Sequence, residues 1–308
     1  MKLEKTILHY LKHSPIFIGL QVCSLLSPIL PDKLFLQLLF PLRMGYKLNL
    51  SKPKTFSEKL QWLKLYDRRP IYTTMVDKYA VKRYVADIIG EKYIIPTLGV
   101  WDSPDEIEWD SLPNQFVLKC THDSGGLIIC RDKTKLDIDA AKEKLRKSLK
   151  FDYYLSVREW PYKDVPRRII AEQYISPTPG KSDLPDYKFF CFDGKVKALF
   201  VASERQTPNE EVKFDFFDAD FNHLPFRQGH DHAKVIPSRP HYFEEMKSAA
   251  AKLSEGIPHV RVDFYETTEG VLFGELTFYH FSGIVPFEPY EWDKRFGDWI
   301  ALPKKIGR

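Results

Sequence analysis

The stretch from residue 259 to residue 279 combines acidic residues and an arginine at a spacing that could bind a metal ion and a phosphate group. Apolar and polar residues alternate there, so Arg261 and Asp263 share one face of a predicted β-strand. A turn at residues 267–270 predicts a hairpin, and Glu275 on the returning strand can then face Asp263. Two carboxylates on one face repel unless a cation lies between them, and oxygen-only ligands favour Mg²⁺, usually with phosphate oxygens in the same shell. Arg261 is suited to clamp an anionic group beside them.

The plainer interpretation is a two-stranded ribbon with its charged face in water, and spacing alone favours it slightly. The chain upstream favours the chemical interpretation. Residues 116–120 and 127–130 predict two short strands joined by a turn with two adjacent glycines. Such a turn leaves backbone N–H groups free for a phosphate, although most glycine turns are plain hairpins. Lys119 lies inside the first apolar strand, where an unpaired ammonium group is costly, so a functional role is hard to dismiss.

Length and composition limit the classes of protein to which the chain can belong. With 308 residues, 44% of them hydrophobic, it can form one elaborate domain or two to three lobes. A net charge of +4, from scattered basic residues, is too small to indicate nucleic-acid binding. The cysteines Cys23, Cys120, Cys130 and Cys191 have neither metal-ligand nor redox spacing, which favours reduced, packed thiols in a cytoplasm.

The first 70 residues read as helices with apolar stripes. Residues 15–30 are apolar enough to imitate the core of a signal peptide, but no alanine occurs before Ala80 and prolines interrupt the run. No stretch reaches the roughly 20 uninterrupted apolar residues of a membrane-spanning helix. We therefore expect a cytoplasmic protein whose N-terminal helices pack mainly as core and can also touch the inner face of the plasma membrane.

Local signals predict the elements that position these side chains. Residues 55–58 form a capping box that opens a helix. Asp193-Gly194 is a strong type I′ hairpin signal between two strands. Because helices precede strand pairs with interposed helices, the predicted fold class is α+β. The remaining predictions are helices at residues 77–89, 139–150 and 242–254, a short extended segment at 93–96, and strands at 168–175, 187–192 and 195–202.

Four segments together resemble the ATP-grasp superfamily, in particular its teichuronopeptide-biosynthesis (TupA-like) family, whose members are often labelled as glycosyltransferases. The segments are TFSEKLQWLKLYDR, FVLKCTHDSGG, DYKFFCFDGKV and VRVDFY…FGELTFYHFSG, and the resemblance spans roughly residues 55–299. It implies an α+β ATP-grasp fold with a helical N-terminal region. The implied division is a helical region at 1–70, a connecting segment at 71–115, a small lobe with the glycine-rich loop and hinge at 116–182, and a large lobe with the metal site at 183–308.

The resemblance also implies roles for individual residues. The implied ATP-binding residues are Lys78, Lys119, Ser124, Gly125, Gly126, Glu172, Gln173, Tyr174, Ile175 and Lys188. The implied metal ligands are Asp263, Glu275 and Thr277, and the implied catalytic residues are Arg261 and Lys188. The lysines would contact the phosphates, residues 121–126 would close over the triphosphate, and residues 172–175 would form the hinge against adenine. Thr277 departs from the family pattern, because many relatives have asparagine there and a neutral hydroxyl is a poorer metal ligand.

The implied cofactors are ATP and Mg²⁺, and the implied activity is that of a carboxylate–amine ligase acting through an acyl phosphate. Its substrates would be an amino acid and a uronic-acid carboxylate in a capsular or cell-wall polysaccharide. One alternative is a nucleotide-sugar glycosyltransferase, which would use the paired carboxylates for its metal but would leave Lys119 and the hinge unexplained. Another is a non-catalytic nucleotide- or glycan-binding module, against which the intact Arg261, Asp263 and Glu275 argue.

Two features fall outside this pattern. The N-terminal α/β lobe that is usual in the superfamily is not visible, since residues up to about Pro70 read as helices. His230 and His232 have a spacing typical of metal ligands, but a histidine pair in a loop is more often solvated than ligating.

Overall fold

A computed structural model of the chain describes residues 15–123, 126–177, 184–204 and 211–305. Its α-helices are α1 (Pro15–Leu26), α2 (Asp32–Met44), α3 (Phe56–Tyr66), α4 (Ile71–Val76), α5 (Ala80–Ile89), α6 (Ile138–Lys150), α7 (Tyr153–Val157), α8 (Phe243–Leu253) and α9 (Glu291–Asp298). Its strands are β1 (Thr97–Trp101), β2 (Phe116–Cys120), β3 (Ile128–Cys130), β4 (Ile169–Gln173), β5 (Asp186–Phe192), β6 (Lys195–Ser203), β7 (Lys213–Asp218), β8 (Arg227–Gln228), β9 (Val260–Thr267), β10 (Gly270–Thr277) and β11 (Phe287–Glu288). Short 3₁₀ helices lie at Glu91–Tyr93, Pro104–Glu106, Trp109–Ser111, Lys133–Lys135, Trp160–Tyr162 and His280–Gly283.

Two antiparallel sheets form the body of the molecule, and each has its own apolar core. The smaller sheet has the strand order β1-β4-β2-β3 and packs against α6. The larger sheet has the order β10-β9-β5-β6-β7 and packs against α8, while β8 and β11 form a separate ribbon. The predicted α+β class is confirmed.

Alternation along β2 separates the core of the smaller sheet from its other face. Phe116 and Leu118 are fully buried in the core, so Lys119 lies on the opposite face. On the neighbouring strand β4, Glu172 pairs with Val117 and shares that face with Lys119. The smaller sheet therefore presents a lysine and a glutamate on the same side.

The predicted hairpin is formed by β9 and β10, and it contains a bulge at the predicted metal ligands. The pairing register shifts by one residue between Phe273 and Leu276, so Gly274 and Glu275 together lie opposite Asp263. A Cβ atom on Gly274 would lie 3.1 Å from the Asp263 carbonyl oxygen, which favours glycine at the bulge. The bulge thus permits close approach of the two strands where the carboxylates meet.

The register of the larger sheet assigns side chains to its two faces. One face carries a row formed by Asp263, Lys188, Phe200 and Phe216, which are successive partners across β9, β5, β6 and β7. The opposite face carries the adjacent row of Phe264, Tyr187, Val201 and Asp215. Helix α8 packs on this second face, where the rings of Phe189 and Phe243 lie 5.9 Å apart. The predicted metal ligand Asp263 and the helix α8 are therefore on different sides of the sheet.

The predicted helical N-terminal region is confirmed over the described residues. The predicted capping box is present, with the Thr55 side chain accepting from the first turn of α3. Helix α3 packs against α9, where Asp293 accepts hydrogen bonds from the Ser57 backbone N–H at 2.8 Å and from its hydroxyl at 3.0 Å. No helix within the described ranges is long and apolar enough to cross a membrane.

Two local predictions are wrong. The helix predicted from about Asp77 begins at Ala80, because the Asp77 carboxylate accepts hydrogen bonds from the backbone N–H groups of Tyr79 (2.8 Å) and Ala80 (3.3 Å). Lys78 therefore lies in the junction between α4 and α5 rather than on a helix. The extended segment predicted at residues 93–96 begins as a 3₁₀ turn, and the strand β1 after it is unpredicted. The four cysteines are buried and free, as predicted.

Candidate active site

A cavity of about 150 Å³ lies between the two sheets. Its walls include Lys119 from β2, Tyr265 from β9 and the four consecutive residues at 172–175. Apolar side chains form much of the remaining wall, among them Val117 and Leu184. An apolar pocket with a few converging polar groups is the usual form of a small-molecule site. The structure thus gathers Lys119 and the predicted hinge residues Glu172, Gln173, Tyr174 and Ile175 around one cavity.

Glu172 is the centre of a buried ion-pair cluster in the cavity wall. One of its oxygens contacts Nζ of Lys119, and the other lies 2.7 Å from Nζ of Lys82. Burial would raise the pKa of Glu172, but the two ammonium groups outweigh that effect and lower it. Sequence reasoning missed Lys82, because a lysine on a mixed helix has no local signal and only the fold brings it to Glu172.

Three predicted metal ligands converge on a single nitrogen atom of Arg261. Its guanidinium forms a two-pronged pair with Asp263, in which Nε–Oδ1 and Nη2–Oδ2 both measure 2.7 Å. The same Nη2 lies 2.9 Å from Oε1 of Glu275 and 3.0 Å from Oγ1 of Thr277. Three oxygen atoms that all accept from one cationic nitrogen form a ligand set that fits Mg²⁺.

Lys188 extends this cluster along β5. Its Nζ contacts Oδ2 of Asp263 and lies 2.6 Å from Oδ2 of Asp186. Asp263 is 1% exposed, and burial raises its pKa despite the opposing charges of Arg261 and Lys188. Asp186 is a site residue that sequence reasoning missed. The available signal was its position two residues before Lys188, which places both on one strand face.

Glu275 lies at the open side of the cluster, with 42% of its side chain exposed. Partial burial would raise its pKa, but nearby cations outweigh that effect and lower the pKa to about 2. The cations that act on Glu275 are, in decreasing order of effect, Lys188, Arg261, Lys78 and Lys119. Cations from both sheets therefore act on one carboxylate, which links the cavity wall to the hairpin that carries the predicted metal ligands.

Lys78 is attached to the base of the predicted glycine-rich loop. Its backbone N–H donates to the carbonyl of Thr121 at 3.2 Å, and its Nζ donates to the carbonyl of Asp123. Burial lowers the pKa of Lys78, and Glu275 is the strongest opposing influence. Gly126 donates its backbone N–H to Asp123 at 3.4 Å. The predicted ATP-binding residues Ser124 and Gly125 lie outside the described residues.

His280 contacts the far side of the Arg261 guanidinium and is the third residue that sequence reasoning missed. The distance from Nη1 of Arg261 to Nδ1 of His280 is 2.9 Å. Burial and the charge of Arg261 hold the pKa of His280 well below its usual range, so its Nδ1 accepts the hydrogen bond from Arg261. The signal available was its place in YHFSG, three residues after the end of β10, the strand that carries two of the predicted metal ligands.

One protein-family model matches most of the chain. A family model described as "TupA-like ATPgrasp" matches residues 58–301, which is more than half of the chain. No curated protein sequence matches.

Among solved structures, the chain is similar to the ATP-grasp ligase PsnB complexed with minimal precursor, Mg and ADP, with 10% identity, a TM-score of 0.39, and coverage of 72% of this chain and 57% of PsnB. It is also similar to D-alanine–D-alanine ligase from Helicobacter pylori, with 13% identity, a TM-score of 0.42, and coverage of 80% and 69%. A RimK domain ATP-grasp protein from Sphaerobacter thermophilus has 14% identity, a TM-score of 0.40, and coverage of 76% and 70%. The chain spans little more than half of the PsnB structure.

Proposed function

The chain belongs to the TupA-like ATP-grasp family, and on that premise we propose that it is an ATP-dependent ligase that joins a carboxylate to an amine. The observation that carries the proposal is the convergence of Asp263, Glu275 and Thr277 on Nη2 of Arg261. Three oxygen atoms around one cation beside a cavity are not expected in a hairpin whose charged face is simply in water.

ATP is proposed to bind with its adenine in the 150 Å³ cavity and its phosphates toward the β9–β10 hairpin. Glu172, Gln173 and Ile175 line that cavity, and the Glu172 side chain and the backbone of the other two would address the adenine. Lys119 lies in the same wall, and Lys78 is attached to the loop at residues 121–126, so both are placed to contact phosphates. When bound, Mg²⁺ held by Asp263, Glu275 and Thr277 would neutralise developing phosphate charge.

In the proposed reaction, a carboxylate oxygen attacks the γ-phosphorus and ADP leaves, which gives an acyl phosphate. The amine then attacks the acyl carbon, loses a proton, and releases phosphate that retains one of the original carboxylate oxygens. Arg261 and Lys188 would exchange their carboxylate partners for oxygens of the transferred group, which stabilises its charge. Closure of the loop at residues 121–126 would protect the acyl phosphate from water.

The proposed substrates are an amino acid and a uronic-acid carboxylate of a capsular or cell-wall polysaccharide, as the family resemblance implies. A thermal-shift titration with a non-hydrolysable ATP analogue, Mg²⁺ and UDP-sugars tests the nucleotide part of the proposal. A ligand that binds only the native state raises the melting temperature. We expect stabilisation by the ATP analogue. Stabilisation by UDP-sugars alone would instead support the glycosyltransferase alternative.

The protein is proposed to act in the cytoplasm, with peripheral contact to the inner face of the plasma membrane through α1. This helix carries no charged residue, and the side chains of Ile16, Ile18, Leu25 and Ile29 on and just after it are at least half exposed. Flotation with anionic liposomes tests the contact, and Leu25→Gln combined with Ile29→Gln should weaken it. Val235→Gln, which alters an apolar residue that is 83% exposed elsewhere, is the matched control. A wild-type protein that stays entirely in the soluble fraction would remove the membrane proposal.

A further inference from the structure

A second cluster of residues of metal-ligand type lies at the edge strand β7, away from the cavity between the two sheets. Oδ1 of Asp215 is 3.3 Å from Nε2 of His223 and 3.2 Å from Nδ1 of His232. Each of the three residues offers one donor atom, and these atoms lie within 4.8 Å of one another. Within the described part of the chain, no other group of three or more His, Cys, Asp or Glu residues meets that condition.

This cluster is separate from the proposed ATP site. Asp215 lies in the row of Val201, Tyr187 and Phe264, which is on the opposite face of the sheet from Asp263. Three strand spacings separate β7 from β9, which corresponds to about 14 Å. An ion at Asp215 therefore cannot be the ion that Asp263 and Glu275 would share.

Asp215 is a buried carboxylate with few compensating positive charges around it. Its side chain is completely buried, and a buried carboxylate is costly unless its charge is compensated. Its Oδ2 accepts a hydrogen bond from the Ala233 backbone N–H at 3.2 Å. Among the described residues, no lysine or arginine forms an ion pair with Asp215, and its charged partners are only the two imidazoles when protonated.

We propose that Asp215, His223 and His232 form a binding site for a divalent transition-metal ion, with Zn²⁺ as the best match. Zinc–ligand bonds of about 2.0–2.1 Å in a tetrahedron imply ligand–ligand distances of about 3.3–3.4 Å, close to the two distances from Asp215. Two imidazoles and a carboxylate are a preferred zinc ligand set, with water as the fourth ligand. The Ala233 N–H orients the second carboxylate oxygen, as outer partners commonly do. Nδ1 of His232 exchanges its 3.1 Å contact with the Phe214 carbonyl for the ion.

The proposed ion would fasten a loop to the sheet. Asp215 belongs to β7, whereas His223 and His232 come from the segment that follows it and contains β8. An ion bound by all three joins this segment to an edge strand. Since the unfolded chain does not present the three ligands together, zinc binding should raise the melting temperature.

The proposal is tested by measuring zinc binding to the full chain. The protein is first stripped of metal with a chelator and is then kept in excess Mg²⁺ without nucleotide. Equilibrium dialysis with elemental analysis should give one zinc per chain for the wild type. His223→Ala and His232→Ala should each weaken binding at least tenfold and abolish the zinc-dependent rise in melting temperature. His230→Ala is the matched control, because His230 lies in the same loop and packs on Phe214 at 4.4 Å but is outside the cluster.

A Co²⁺-loaded protein gives a second readout, because tetrahedral Co²⁺ with nitrogen ligands absorbs visible light strongly. We expect that band in the wild type and in His230→Ala, and its loss in His223→Ala. A wild-type protein that retains no stoichiometric zinc would overturn the proposal and leave the histidines as proton-donating partners of Asp215. Equal zinc binding by wild type and both cluster variants would overturn it as well.

Discussion

Glu275→Gln is the substitution expected to separate catalysis from folding most cleanly. Glutamine keeps the shape and volume of the side chain, and its amide oxygen can still accept the 2.9 Å hydrogen bond from Arg261. The lost charge is the one on which Lys188, Arg261, Lys78 and Lys119 act together. The free energy of unfolding should fall because the charge that attracts these cations is lost, but solvent screens part of that attraction at a side chain that is 42% exposed.

Removal of that charge should reduce turnover far more than it reduces stability. The loss of a single preorganised electrostatic contact in an active site costs about 100-fold to 1000-fold in kcat, and Glu275 is both a proposed metal ligand and the partner of the surrounding cations. The assay is ATP-dependent product formation, measured beside the melting curve of each variant. Glu269→Gln is the matched control, since Glu269 lies in the exposed turn of the same hairpin and should behave as wild type. Near wild-type turnover in Glu275→Gln would refute the mechanism.

Three further predictions follow from the buried ionisable groups. Arg261→Lys should reduce turnover about as strongly as Glu275→Gln and should also lower the melting temperature, because an ammonium group cannot replace the two-pronged pair with the buried Asp263; unchanged kcat would contradict this. Glu172→Gln should weaken binding of an ATP analogue in calorimetry, because Lys119 and Lys82 lose their shared buried anion; unaltered affinity would remove Glu172 from the site. Burial lowers the pKa of His259 to about 3, so the unfolded chain binds a proton there between about pH 6.5 and pH 3 and the folded chain does not. The free energy of unfolding should therefore fall with falling pH, by about 1 kcal/mol per pH unit between pH 6 and pH 5. Urea unfolding at several pH values should show a weaker dependence of this free energy on pH in His259→Phe than in the wild type.

The sequence was most informative where a chemical pattern coincided with a local structural period. Alternation alone placed Arg261 and Asp263 on one face, and the turn at residues 267–270 brought Glu275 back to them. The bulge at Gly274 could not be predicted from the sequence, because a one-residue register shift depends on how the two strands pair.

Site residues whose partners are distant in the sequence could not be predicted from local patterns either. The ion pair of Lys82 with Glu172 joins a helix to a distant strand, and no local spacing encodes it. Asp186 and His280 were overlooked although each lies within one of the quoted motifs, because their roles follow from the partners Lys188 and Arg261. Short β1 contains Gly99 and forms the edge of its sheet, so neither propensity nor burial distinguishes it from a loop.

The central claim is that the protein activates a carboxylate as an acyl phosphate. Transfer of ¹⁸O from the carboxylate to phosphate tests this claim most directly. Purified protein is incubated with ATP, Mg²⁺, a panel of amino acids, and uronic acids labelled with ¹⁸O in the carboxylate, and both ADP and phosphate are analysed. We predict that ADP release requires both an acid and an amine, and that the released phosphate carries one ¹⁸O atom from the acid. ADP release that yields only unlabelled phosphate, or sugar transfer from a nucleotide sugar without consumption of ATP, would contradict the account.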